Sequence, residues 1–243
     1  MTNPLAILQV STREHTMELI RDDGLYRHIR FKQPRNEIWC FDLVTWPGHL
    51  VITGDLEDFH FARTDDMFEF FRNPVGNINP GYWAEKLRGP QRFESYSFDL
   101  FKQHVYEDFR NWCAWHDGPH TPVWQSIRFN VLADDGVQND ESLAIAAAMD
   151  FAYRYPNGAR FEFSEAWEWP LRGYDFRFLL SLHAIVWGIH WYDTVKAGGP
   201  DTPPETGVPT QAPDQDRPRR RPLPPPAPLP PRVITIDPPP ELL

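Results

Sequence analysis

Residues 37–55, EIWCFDLVTWPGHLVITGD, carry the clearest secondary-structure pattern of this chain. The first half of this stretch predicts a strand over residues 37–46, because aromatic and β-branched side chains dominate and both faces carry apolar residues. Pro47 and Gly48 form a dipeptide that is typical of a tight turn. Residues 49–55 then predict a returning strand, so we expect an antiparallel hairpin here.

Alternating patterns extend this hairpin on both sides. Residues 25–32 and 57–63 each alternate apolar and polar side chains, which is typical of half-buried strands. Short connections join all four runs, so the sequence predicts a four-stranded antiparallel meander near the N-terminus. Before the meander, Ser11 and Thr12 precede a run that we interpret as a helix to about Arg21.

The sequence after Thr64 predicts a mainly helical C-terminal half. Apolar residues recur at helical spacing from Phe98 to Cys113, which indicates an amphipathic helix. Tyr174 to Val195 is apolar nearly all round and predicts a central, enclosed helix. One short strand is expected at Arg160–Phe163. The predicted fold class is therefore α+β, with the meander packed against four or five helices.

Proline usage divides the chain in two. Most of the 26 prolines lie after Ala197, and that part contains no aromatic residue. We therefore predict one globular domain over residues 1–196 and a disordered, proline-rich tail over 197–243, in local polyproline II conformation. Truncation after Lys196 should then leave the melting temperature nearly unchanged. Within the tail, residues 219–225 fit one orientation of an SH3-type ligand, and a passive spacer is the simpler interpretation.

Charge and cysteine content narrow the class of protein. The formal net charge of −10 disfavours binding to phosphate backbones, so no nucleic-acid partner is expected. Two cysteines cannot form a disulfide framework or a four-thiolate zinc site, and free thiols fit a reducing cytoplasm. The N-terminus lacks the pattern of a signal peptide, and Arg177 interrupts the longest apolar run, so no membrane span is expected.

Asp42 is the most informative single polar residue of the predicted sheet. By alternation it lies on the face that carries Cys40 and Val44, where an acid requires a partner. Arg27 and Arg63 also lie on apolar faces of neighbouring strands. We therefore expect an internal Asp–Arg pair, with a ligand-facing pair at one end of the sheet as the alternative.

The remaining ligand candidates lie on the central helix. His183 and His190 are seven residues apart and share a helix face, so they are either core histidines or the lining of a pocket. The fragments at 54–58 and 116–120 each supply an incomplete set of metal ligands, so we predict no metal and no cofactor. No catalytic motif is present, and the sequence leaves open whether the protein is an enzyme.

The chain resembles a family of uncharacterised proteins encoded by tailed phages and prophages. Four segments carry the resemblance, namely residues 46–55, 61–68, 78–83 and 184–189. The resemblance implies expression in a bacterial cytoplasm and brings no activity and no site residues. We expect an accessory protein that binds a host protein or a small ligand without catalysis. An enzyme with an unrecognised site and a virion component are the alternatives, and the oligomeric state is not indicated.

Overall fold

An antiparallel sheet of five strands forms the N-terminal half of the chain in a computed structural model, which describes residues 3–90, 92–155 and 158–205. The strands follow each other in space in sequence order. They are β1 (Thr16–Asp23), β2 (Tyr26–Gln33), β3 (Asn36–Trp46), β4 (His49–Gly54) and β5 (Phe59–Ala62). The predicted antiparallel meander is confirmed for β2 to β5, and β1 is an additional strand.

Helices dominate the C-terminal half, as predicted. The helices are α1 (Pro4–Ser11), α2 (Met67–Phe71), α3 (Pro80–Ala84), α4 (Phe98–Cys113), α5 (His120–Asn130), α6 (Asp135–Asn139), α7 (Glu141–Met149) and α8 (Phe176–Lys196). Two pairs of short antiparallel strands accompany them, β6 (Glu94–Tyr96) with β9 (Arg172–Tyr174) and β7 (Ala152–Arg154) with β8 (Arg160–Glu162).

The helix predicted from Ser11 to Arg21 is wrong. The structure ends α1 at Ser11 and makes the following residues β1, which pairs with β2. Asn3 caps α1, because its side-chain oxygen accepts hydrogen bonds from two backbone N–H groups of the first turn. β1 lies at the edge of the sheet and Met17 is its single half-buried residue, so the strand carries no alternating pattern.

The first hydrophobic core lies between the sheet and α8. Buried side chains of α8 pack on Phe31, Phe41 and Leu43, which point from β2 and β3 toward the helix. At Gly188 the helix approaches the sheet so closely that a Cβ atom would lie 2.9 Å from the side chains of Phe31 and Leu43. The predicted central, enclosed helix is therefore confirmed. No helix in the described ranges combines the length and apolar character needed to cross a membrane.

A second hydrophobic core is built by the insertion between β6 and β9. Its buried members lie between Phe101 and Leu171, on α4 to α7, on β8 and in the segments that connect them, and Tyr153 of β7 packs against them half-buried. The two strands that flank the insertion pair with each other, with Tyr96 opposite Arg172. Helices α4 to α7 thus enclose a core of their own, whereas α1, α2, α3 and α8 supply the helical side of the first core.

The packed part of the chain continues past Lys196. The indole N–H of Trp191 donates to the side chain of Asp201 at 2.9 Å, and that of Trp187 donates to the carbonyl of Pro204 at 3.2 Å. Both tryptophans are 1% exposed. These contacts move the expected end of the folded part from Lys196 to the end of the described residues. The predicted disorder, polyproline II conformation and SH3-type ligand after residue 205 lie outside the described residues.

Candidate functional site

Asp42 is paired, as expected, but with partners other than those predicted. Its carboxylate accepts two hydrogen bonds from Arg30, both at 2.9 Å, and one from His28 Nε2 at 2.8 Å. Arg30 lies directly opposite Asp42 in the β2–β3 register. The shared face is the polar face of the sheet, which points away from α8, so the prediction of an internal pair with Arg27 or Arg63 is wrong.

The environment of Asp42 keeps its carboxylate charged and occupied. Burial raises the pKa of Asp42, but the hydrogen bonds and charges of Arg30 and His28 together lower it by more, so the pKa lies below its usual range. Three donors occupy the two oxygens, and 9% of the residue is exposed. The cluster therefore joins β2 to β3, and little of the carboxylate is left for a ligand.

The two predicted arginines also lie apart from any shared site. Arg27 forms a two-bond ion pair with Asp66, at 2.9 and 3.0 Å, and its guanidinium lies 4.6 Å from the ring centre of Phe68. Asp66 also caps α2 by accepting from the backbone N–H of Phe68. This contact ties the sheet to α2. Arg63 is exposed, and its backbone N–H donates to the carbonyl of Gly48.

His183 and His190 do not line a common pocket. His183 is 8% exposed, and its buried Nδ1 has no hydrogen-bond partner among the described residues. Burial lowers the pKa of His183 to about 4, so the imidazole is neutral at physiological pH. His190 lies two turns further along the same face of α8, where it is exposed. The alternative of a core histidine therefore holds for His183 alone.

The polar face of the sheet carries a histidine pair that the sequence analysis did not identify. His49 Nδ1 and His60 Nε2 share a hydrogen bond of 2.9 Å, and the ring of Trp46 stacks on His49 with 4.9 Å between centres. Burial lowers the pKa of His60, and the nearby His49 and Arg88 lower it further. In the described part of the chain, no group of three or more His, Cys, Asp or Glu side chains could hold a metal ion.

A cavity of 320 Å³ lies where the β3–β4 hairpin meets the start of α8. This volume is within the lower range of small-molecule sites. Four apolar side chains and two charged ones form its wall, namely Ile38, Trp39, Phe176, Leu180, Asp55 and Arg177. None of these residues was among the predicted site residues.

The backbone around the cavity adopts conformations that L-residues rarely adopt. Trp39 has φ +64° and Glu57 has φ +116°, and a bulky residue in this half of φ space is an outlier. Gly54 has φ +122°, and a Cβ atom there would lie 2.5 Å from the carbonyl oxygen of Cys40. Such conformations cost on the order of 1–3 kcal/mol each and cluster at ligand sites. These conformations favour the cavity wall over the Asp42 cluster as a ligand site.

Hydrogen bonds hold the two charged groups of the cavity in place. One carboxylate oxygen of Asp55 accepts from the backbone N–H of Trp39 at 2.8 Å. Arg177 donates to the backbone carbonyl of Asp55 at 3.0 Å, and its Nε lies 3.7 Å from the carboxylate of Glu57. His15 Nε2 donates to the backbone carbonyl of Trp39 at 3.0 Å. The apolar wall is thus fixed beside a carboxylate that keeps one oxygen without a hydrogen bond in the described structure.

A sequence signal for this cavity exists in hindsight but is weak. The predicted alternation over residues 37–46 places Ile38 beside Cys40 in the sheet, yet Ile38 is 62% exposed. The β2–β3 register is interrupted between the pairs Phe31–Phe41 and Gln33–Asn36, so residues 37–40 leave the regular ladder. Only the glycine at position 54 indicates a close backbone approach from the sequence itself.

Comparison with protein-family models, with curated proteins and with solved structures gives no match for this chain.

Proposed function

We propose that this chain is a non-catalytic accessory protein of the phage or prophage type, and that the cavity beside Trp39 binds a small amphiphilic cation. The observation that carries the proposal is the strained backbone of Trp39, which presents an apolar wall next to the carboxylate of Asp55. The resemblance of four segments to phage-encoded proteins supports the accessory class. A small ligand from among the metabolites of the host cell fits such a protein.

Charge balance at the cavity favours a cation over an anion. Asp55 lines the cavity and Glu57 and the helix-capping Asp175 lie beside it, whereas Arg177 is the one cation among the described residues of its wall. The indole of Trp39 adds a surface that attracts cations through its π system. A planar or alkyl group would contact Ile38, and the attached ammonium would reach the unbonded oxygen of Asp55.

The size of the ligand that fits this cavity sets the expected affinity. An aromatic amine such as tryptamine has about a dozen heavy atoms, and about 0.3 kcal/mol per atom gives roughly −4 kcal/mol, or a Kd of about 1 mM. Protein-observed NMR detects binding in this range. Indole-3-propionate is the matched probe, because it carries the same ring with a carboxylate in place of the ammonium.

The decisive experiment compares these two probes on three proteins. The natural chain should show saturable shifts of the Trp39 indole signal with tryptamine and at least about tenfold weaker binding of indole-3-propionate. Asp55→Asn keeps an oxygen that can accept from the Trp39 N–H but removes the charge, and it should abolish the preference for tryptamine. Asp117→Asn removes one charge from an exposed loop and should bind as the natural chain does.

Three results would overturn the proposal. Equal binding of both probes would remove the cation preference, and shifts confined to residues away from Trp39 would remove the cavity. Chemical conversion of tryptamine during the titration, detected by mass spectrometry, would favour the alternative that the protein is an enzyme.

A further inference from the structure

The two edges of the sheet differ in protection. The outer edge of β5 is covered by the following segment, because Ala62 donates to the carbonyl of Lys86 and Arg88 donates to the carbonyl of His60. No described backbone group bonds to the outer edge of β1. Leu19 and Ile20, at the middle of β1, are 41% and 45% exposed. An open edge of this length with apolar residues is a template for another strand.

A bulge gives β1 an unusual symmetry. Leu19 lies opposite Ile29 and Arg21 lies opposite His28, so Ile20 is an extra residue in the strand. Glu18, which lies opposite Arg30, and Arg21 therefore both belong to the polar face, although residues three apart occupy opposite faces of a regular strand. The assignment of β1 residues to the two faces of the sheet is thus the same when it is read in either direction from the Leu19–Ile20 bond.

We infer that β1 pairs antiparallel with β1 of a second copy of this chain, around a two-fold axis that passes midway between the Leu19–Ile20 bonds of the two copies. In this register Glu18 of each copy lies opposite Arg21 of the other, so two ion pairs form on the polar face. Leu19 of each copy lies opposite Ile20 of the other. Both sheets join into one, with both polar faces on the same side, because opposite residues belong to the same face at every position.

The self-complementary charges identify a second copy as the occupant of this edge. A stable two-fold interface requires that each residue attracts the residue that lies opposite it in the other copy. Glu18 and Arg21 meet this condition twice, because each lies opposite the other across the two-fold axis. Their present contacts are exposed and weak, to Lys32 at 3.5 Å and to Asp23 at 3.3 Å respectively. One eight-residue strand buries less surface than stable dimers require, so the dimer is concentration-dependent and weakened by salt.

Sedimentation velocity over a concentration series at low salt tests the dimer. Glu18→Lys and Arg21→Glu each place like charges opposite each other twice and should weaken dimerisation at least about tenfold. The double variant Glu18→Lys/Arg21→Glu restores opposite charges and should recover most of the affinity. Ile20→Lys should also disrupt the dimer. Glu85→Lys makes the same charge change at an exposed residue that follows α3, outside β1, and should leave the dimer intact.

The outcomes separate the proposal from its rivals. Circular dichroism melting of each variant identifies any loss of folding, and the charge-swapped double variant provides a readout that misfolding cannot imitate. A chain that stays monomeric up to millimolar concentration would overturn the inference. A dimer that Glu18→Lys and Ile20→Lys leave unchanged would do the same, since another surface would then form it.

Discussion

Removal of the segment after Lys196 should destabilise the fold, whereas removal of everything after Glu205 should not. The difference rests on two indole N–H groups, of Trp191 and Trp187, which donate to Asp201 and to the carbonyl of Pro204. Truncation after Glu205 keeps both acceptors. Truncation after Lys196 removes both and uncovers the two rings, which are almost completely buried in the full chain.

The expected loss follows from the cost of an unsatisfied donor. A buried donor without a partner costs about 1–3 kcal/mol, and water at the new chain end recovers part of this, so the two together cost about 2–4 kcal/mol. For a domain of this size, each kcal/mol lowers the melting temperature by about 2–4 °C, which gives a fall of roughly 4–16 °C. Calorimetry of the two truncated chains measures the difference directly.

A point variant separates the hydrogen bond from the loss of chain. Asp201→Ala in the full chain removes one acceptor and should lower the free energy of unfolding by about 1–2 kcal/mol. Glu205→Ala, four residues further on and exposed, is the matched control and should be neutral. Melting temperatures of the two truncated chains within 1 °C of each other would refute the reasoning, because the indole contacts would then contribute nothing to the folded state.

Three further predictions concern single residues. Asp42→Ala should cost about 1–3 kcal/mol in urea unfolding, less than for a fully buried pair because Arg30 stays accessible to water; a cost equal to that of the exposed Asp23→Ala would contradict the cluster. Ile185→Asp should yield unfolded or insoluble protein, whereas His190→Asp, at an exposed position of α8, should fold, and a soluble, folded Ile185→Asp would refute the enclosed position. Because burial lowers the pKa of His183 from 6.5 to about 4, the unfolded state binds the proton first on acidification. His183 therefore costs no stability above about pH 6.5 and about 3 kcal/mol by pH 4, and His183→Gln should show a correspondingly smaller acid loss; equal losses would exclude this cause.

Alternation made most of the sheet predictable, and its absence hid the edge strand. β2 to β5 each bury one face against α8, so their apolar residues recur at every second position. β1 buries little, and its bulge at Ile20 shifts the pattern in the middle of the strand. Ser11 and Thr12 then suggested the start of a helix at the point where α1 in fact ends.

The candidate sites depended on register and on long-range contacts, which the sequence does not state. Asp42 required a cation, and this followed from general energetics, but the choice of Arg30 depends on the strand register. The backbone of Trp39 is held by Asp55, which accepts from its N–H, and Gly54 of the neighbouring strand closely approaches the adjacent Cys40. Apart from Gly54 itself, local sequence patterns carry no information about such an approach, so the cavity could not be predicted.

The pairing of β6 with β9 has a consequence for how this chain could have been assembled. The insertion begins after β6 and ends before β9, and these two strands pair with Tyr96 opposite Arg172, so its two ends are neighbours. A two-residue turn such as Asn-Gly could close this gap, so the whole insertion can be deleted without rerouting any strand of the main sheet. Because its two ends are neighbours, the same segment could also be inserted as a unit between two adjacent strands. A single in-frame recombination event could therefore add or remove it without changing the rest of the fold.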